Sequence, residues 1–236
     1  RILVLPNLLM IDEEEADAFR GYVRAGGALY ASRGTSLVTT DGVRQQDFLL
    51  GGLFGVTYMG ETAEVFTYIA PAAGAEEFFP GYSGKYYPLG LPSTQMIVQA
   101  RPGAKVLGWM VLPYTNPADP SRYASIHSNP PGVPTENPGV VLNPYGVGKA
   151  LYVTTDLERY DTCHSTFLAL IRALAKSFSF EADAPKAVEI TVFHQADRKR
   201  FLVSLINFQK ELPNIPVEGI RVRLRMDGWS VKRVVA

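Results

Sequence analysis

One cysteine, three histidines and a balanced charge limit the chemistry open to this chain of 236 residues. The cysteine lies in Tyr160-Asp161-Thr162-Cys163-His164-Ser165, at a predicted helix start. A helix N-terminus and a neighbouring imidazole can depress a thiol pKa and make a nucleophile. Amidotransferase-type nucleophiles, however, sit on a tight strand-to-helix turn flanked by glycines, with a histidine and an acid as partners. No glycine flanks Cys163, and adjacent residues on a helix point apart, so Cys163 reads as structural and Asp161 as the start of a capping segment. Glycosidic hydrolysis needs two carboxylates about 5 to 9 Å apart across the sugar bond. Glu13, Glu14 and Glu15 read instead as first-turn residues complementing a helix dipole, and Glu76-Glu77 as a solvated pair. Gly146-Val147-Gly148-Lys149 lacks phosphate-loop spacing and runs into a strand, so it reads as a hairpin turn. His127, His164 and His194 are scattered, with no pair at metal-ligand spacing, and neither a metal nor another cofactor is expected.

The segment from Tyr114 to Tyr145 is the functional candidate that remains. It joins Tyr123, His127, Asn129, Glu136 and Asn137 to a proline-stiffened backbone. Aromatic faces stack on sugar rings, while amides and imidazoles hydrogen-bond hydroxyls. The same residues suit packing on a neighbouring domain or subunit, and interface packing is the favoured of the two readings. Lysine plus arginine (23) equals aspartate plus glutamate (23), which gives no field for nucleic acid or an anionic membrane. No apolar run approaches the roughly 18 to 20 residues of a membrane span, and no signal-peptide pattern opens the chain. One cysteine rules out an internal disulfide framework without fixing the compartment, and the cytoplasm is the working expectation.

The elements that must carry these residues fall into two sets. Ile2 to Leu5 is a short apolar run of the kind buried on both faces of a parallel sheet. Asp12 precedes Glu15 at capping-box spacing, and Ala16, Phe19, Tyr22 and Val23 recur at helical intervals, which predicts a helix over about 13–25. Gly26-Gly27 stops it, and Ala28 to Ala31 returns as a second strand. Strand-like runs follow at Ala63 to Ile69, Gln95 to Val98 and Lys105 to Leu112, then a long loop over 113–148 that ends in a hairpin onto Ala150 to Thr154. A helix is predicted over about 163–178. After a linker at 181–186, period-two alternation in Arg221 to Met226 and runs at Val188 to Phe193, Arg200 to Phe208 and Ser230 to Val235 predict a small antiparallel β domain over 187–236.

Three motifs carry a family resemblance. Val4-Leu5-Pro6-Asn7 through Gly26-Gly27-Ala28-Leu29 resembles the flavodoxin-like, class I glutamine-amidotransferase-like middle domain of bacterial beta-galactosidases, often called the trimerisation domain. It is similar also to the matching part of glycoside hydrolases with an alpha-fucosidase-like barrel. His127-Ser128-Asn129-Pro130-Pro131-Gly132 with Tyr145-Gly146-Val147-Gly148-Lys149-Ala150-Leu151-Tyr152 looks like the same group, and Val203-Ser204-Leu205-Ile206-Asn207-Phe208 resembles its small C-terminal β domain. The resemblance implies an α/β fold with a partly parallel sheet over 1–180, whose N-terminal part lies upstream of Arg1. It implies a non-catalytic accessory or oligomerisation region, a homo-oligomer, and a partner barrel domain carrying the catalytic carboxylates. The alternatives are a stand-alone carbohydrate-binding or regulatory module and, less favoured, a cysteine-dependent amidotransferase-like enzyme.

Overall fold

A computed structural model describes residues 1–84, 86–115, 119–125, 128–175 and 177–235. The chain divides into two compact units, Arg1–Lys176 and Ser177–Ala236.

The first unit opens with β1 (Ile2–Leu5), α1 (Glu13–Arg24) and β2 (Ala28–Ser32). The capping box forms as its spacing predicts: Glu15 N–H donates to Asp12 Oδ1 at 2.8 Å, and Asp12 N–H donates to Glu15 Oε2 at 3.0 Å. α1 ends where Gly26 takes a φ of 104°, a region that a Cβ makes costly. There follow α2 (Gly51–Phe54), β3 (Val56–Glu61), β4 (Thr67–Pro71), β5 (Leu89–Leu91), β6 (Met96–Ala100), β7 (Lys105–Pro113), β8 (Pro131–Tyr145), β9 (Gly148–Val153) and α3 (His164–Leu174).

Seven strands make one mixed sheet in the order β1-β2-β9-β8-β7-β4-β5. β1, β2 and β9 are parallel, and every pairing from β9 through β8, β7 and β4 to β5 is antiparallel. β3 and β6 form a separate antiparallel ribbon. Both faces of the sheet are covered, and alternation along β2 assigns them. Leu29 and Ala31 pack with Ala16 and Val23 of α1 and with Leu53 and Phe54 of α2, whereas Ala28 and Tyr30 pack with Leu170 and Leu174 of α3. On the first face Phe54 stacks on Tyr152 at 5.1 Å, worth roughly 1 kcal/mol beyond the area buried.

The α/β class and the partly parallel sheet agree with the sequence, but several elements differ. The predicted loop over 113–148 contains β8, a strand of 15 residues. Its prolines pair across to β7 as Trp109↔Pro138, Val111↔Pro134 and Pro113↔Pro131, and register shifts interrupt the ladder between these pairs. A proline cannot donate to a ladder, so proline in an interior strand is tolerated at bulges. Among the described residues β1 is an edge strand of the sheet rather than one buried on both faces, and Val4 is 43% exposed. α3 stops at Leu174, where Ala175 turns to an extended ψ of 133°.

In the second unit β10 (Phe180–Asp183) pairs with β13 (Arg221–Leu224), and β11 (Val188–Gln195) pairs with β12 (Arg200–Asn207), both antiparallel. Arg221, Arg223 and Arg225 alternate as exposed residues with half-buried Val222 and Leu224, the solvated face that the sequence predicts. The strand predicted over Ser230 to Val235 does not form, and that stretch joins no ladder.

Candidate functional site

Parallel strands place their carboxyl ends side by side, and in open α/β sheets polar side chains collected there form binding crevices. Here those ends are Asn7 after β1, Ser32 to Ser36 after β2, and Thr154 to Glu158 after β9. Gly34 N–H donates to Asn7 Oδ1 at 3.0 Å, and Asn7 N–H donates to Ser32 Oγ at 3.0 Å. The Ser32 hydroxyl in turn donates to Glu158 Oε1 at 2.6 Å, while the Tyr30 hydroxyl donates to Glu158 Oε2, also at 2.6 Å. Glu158 thus has one hydroxyl on each carboxylate oxygen. Burial, and secondarily the Glu158 charge, pushes the Tyr30 phenol well above its ordinary range.

Arg33 lies beside this chain of bonds with a φ of 48°, a left-handed conformation that costs a non-glycine residue about 1–2 kcal/mol. Its surroundings hold it there. Its N–H donates to Val153 O at 2.8 Å, and its carbonyl accepts from the Tyr152 hydroxyl at 2.6 Å. Arg33 Nη2 donates to Thr94 Oγ1 (2.8 Å) and Glu61 Oε1 (2.9 Å), while Nη1 donates to Ser93 Oγ (2.8 Å) and lies 3.6 Å from Asp156 Oδ1. Strained backbone around converging polar groups is a common mark of a functional site. A second buried knot adjoins it, where Thr154 donates to Gln95 Oε1 at 2.6 Å and Gln95 Nε2 donates to Thr67 Oγ1 at 2.9 Å.

This arrangement braces three strand ends more readily than it performs catalysis. Ser32 Oγ donates to the Glu158 carboxylate and accepts from the Asn7 backbone amide, so the imidazole of a Ser–His pair is not in the contact. Glu61 and Asp156 both face Arg33, and each has a second arginine as counter-ion, Arg44 for Glu61 and Arg159 for Asp156, both at 3.7 Å. Cys163 is fully buried at the end of a single-turn helix that leads into α3, and burial pushes its thiol up, away from the reactive thiolate. Among the described residues no group of three or more His, Cys, Asp or Glu side chains could hold a metal ion.

The residues singled out in the sequence lie elsewhere. Tyr123 is 79% exposed. Asn129 accepts from the Tyr68 hydroxyl through its carbonyl and from the Thr115 hydroxyl through its side chain. Glu136 is exposed and Asn137 half-buried, both within β8, and Asn137 N–H donates to Thr135 Oγ1 at 3.2 Å. His127 lies outside the described residues. The Ser32–Glu158 contact spans 126 positions and is invisible to motif reading, although the strand ends at Asn7 and Gly34 are the signal that points towards it.

No family model and no curated protein matches this chain. Its fold does match solved structures. Alpha-L-fucosidase isoenzyme 2 from Paenibacillus thiaminolyticus superposes with a TM-score of 0.71 at 19% identity, over 98% of this chain and 35% of the fucosidase. A cold-adapted beta-galactosidase from Rahnella sp. R3 matches with a TM-score of 0.63 at 20% identity, over 95% of this chain and 32% of that enzyme. A GH42 beta-galactosidase from G. stearothermophilus matches with a TM-score of 0.58 at 17% identity, over 89% of this chain and 26% of that one. The chain therefore shares its fold with a region of glycoside hydrolases and spans about a third of their length or less.

Proposed function

We propose that this chain is a non-catalytic accessory and oligomerisation region of a glycoside hydrolase, beta-galactosidase-like or alpha-fucosidase-like, whose catalytic barrel is a separate domain. The observation that carries this reading is the fold match over nearly the whole chain but only a third of the fucosidase and the Rahnella enzyme. In this reading residues 1–180 are the flavodoxin-like, amidotransferase-like trimerisation domain and 187–236 the small C-terminal β domain. The interlocked strand ends supply stiffness, not turnover. Tyr123, His127, Asn129, Glu136 and Asn137 serve as contacts to the barrel or to a neighbouring subunit, and would form a wall of an adjacent sugar site only in the assembled protein.

Sedimentation equilibrium on the isolated chain tests the association. The expected result is a mass at a whole multiple of the 25.9 kDa monomer, lowered when Tyr123 and Asn137 are replaced together by alanine. A monomer across the micromolar range would contradict the oligomerisation role.

A further inference from the structure

The second unit carries an open groove with a volume of about 400 Å³, lined from three directions. Ser177 and Ser179 precede β10; His194 and Phe201 face one another across β11 and β12; Arg225, Asp227 and Trp229 follow β13. The aromatic side is ordered by its own geometry. The His194 and Phe201 rings stack at 4.6 Å with 15° between planes, and Trp229 meets them edge-on at 5.2 and 5.8 Å. The turn Met226-Asp227-Gly228-Trp229 closes with Trp229 N–H donating to Met226 O at 2.9 Å, and Gly228 takes the positive φ of 75° that this turn requires. Trp229 is held at the groove yet remains 38% exposed.

The polar side is built around Arg225. Arg225 Nε lies 2.5 Å from Asp227 Oδ2, its Nη1 donates to Ser177 Oγ, and its backbone N–H donates to Ser179 O at 2.9 Å. The groove thus joins a packed aromatic cluster to a planar guanidinium and a carboxylate. Apolar ligands are held in pockets that bury most of their surface, which this shallow groove does not do. A neutral sugar fits its chemistry better. The ring offers a face of C–H groups to an aromatic surface, and vicinal hydroxyls donate to a carboxylate and accept from an arginine fork.

We infer that the His194, Phe201, Arg225, Asp227 and Trp229 groove binds one or two residues of a neutral carbohydrate. This goes beyond the accessory role, and its test is independent of that role. The chain has two tryptophans, so its two indole N–H signals in a heteronuclear NMR spectrum are assigned by Trp229→Phe. The chain is titrated with galactose, L-fucose, lactose and cellobiose. The expected result is a saturable shift of the Trp229 signal by at least one of them, with millimolar affinity that Arg225→Gln weakens about tenfold. A Trp229 signal that Arg225→Gln leaves unmoved in the absence of sugar shows that the aromatic cluster stays in place, and an unchanged Trp109 signal shows the same of the first unit. No saturable shift with any of the four sugars overturns the proposal, as does a shift that Arg225→Gln leaves at full affinity.

Discussion

Gly148→Ala costs the first unit about 3 kcal/mol, a large share of the roughly 5 to 15 kcal/mol that holds an ordinary domain folded. A Cβ at this position would lie 2.2 Å from the carbonyl oxygens of both Gly27 and Val23, backbone atoms that no rotamer change can move aside. The close approach has a structural purpose. The tight turn between β8 and β9 abuts the C-terminus of α1, where Val147 N–H donates to Arg24 O at 3.1 Å and Lys149 N–H to Gly27 O at 3.3 Å. Helix ends leave carbonyls without intrahelical partners, and here the hairpin supplies the donors. Gly21→Ala is the control, because a Cβ on this exposed glycine of α1 would meet nothing within 4 Å, and the change should stabilise by up to about 1 kcal/mol. Urea unfolding of both variants measures the contrast. A loss under about 1 kcal/mol for Gly148→Ala would contradict the packing described.

Raising the pH through the tyrosine range should destabilise the first unit steeply. Tyr30 and Tyr152 are both fully buried, and burial raises both phenols well above the ordinary value of 10.0. The Glu158 charge adds to the effect at Tyr30. The folded state therefore keeps protons that the unfolded chain releases. Stability is fully present below pH 10 and falls above it, by about 1.4 kcal/mol per pH unit for each tyrosine. Tyr30→Phe costs about 1 kcal/mol near neutral pH through the lost bond to Glu158, and takes about 1.4 kcal/mol per pH unit off the alkaline slope. Urea midpoints over this range, with tyrosinate absorbance of the folded protein, check both statements. A flat profile, or tyrosinate forming at these two sites at the ordinary pH, would contradict them.

How far the sequence discloses this structure depends on how local each signal is. The capping box of α1, its double-glycine stop and the apolar runs of β1 and β2 are written within a few residues, and they form as read. The bonds that join Ser32 and Tyr30 to Glu158 link positions 126 and 128 apart, so no spacing rule exposes them. β8 is hidden for a different reason. Proline marks loops in sequence, yet here the prolines fall at irregularities of the β7–β8 ladder, where a missing donor costs little. The edge position of β1 is equally invisible locally, because an apolar run looks the same whether a strand flanks it on one side or on two. In the second unit Trp229 reads as one aromatic residue after a strand. Only the fold brings it against the His194–Phe201 pair.

The accessory reading stands or falls on what the native gene produces. The most direct measurement is the intact mass of that product, set beside hydrolysis of chromogenic galactosides and fucosides by the product and by this chain alone. The expected result is a protein much larger than 25.9 kDa that hydrolyses one of these substrates while this chain hydrolyses none. A product close to 25.9 kDa, or turnover by this chain by itself, would contradict it.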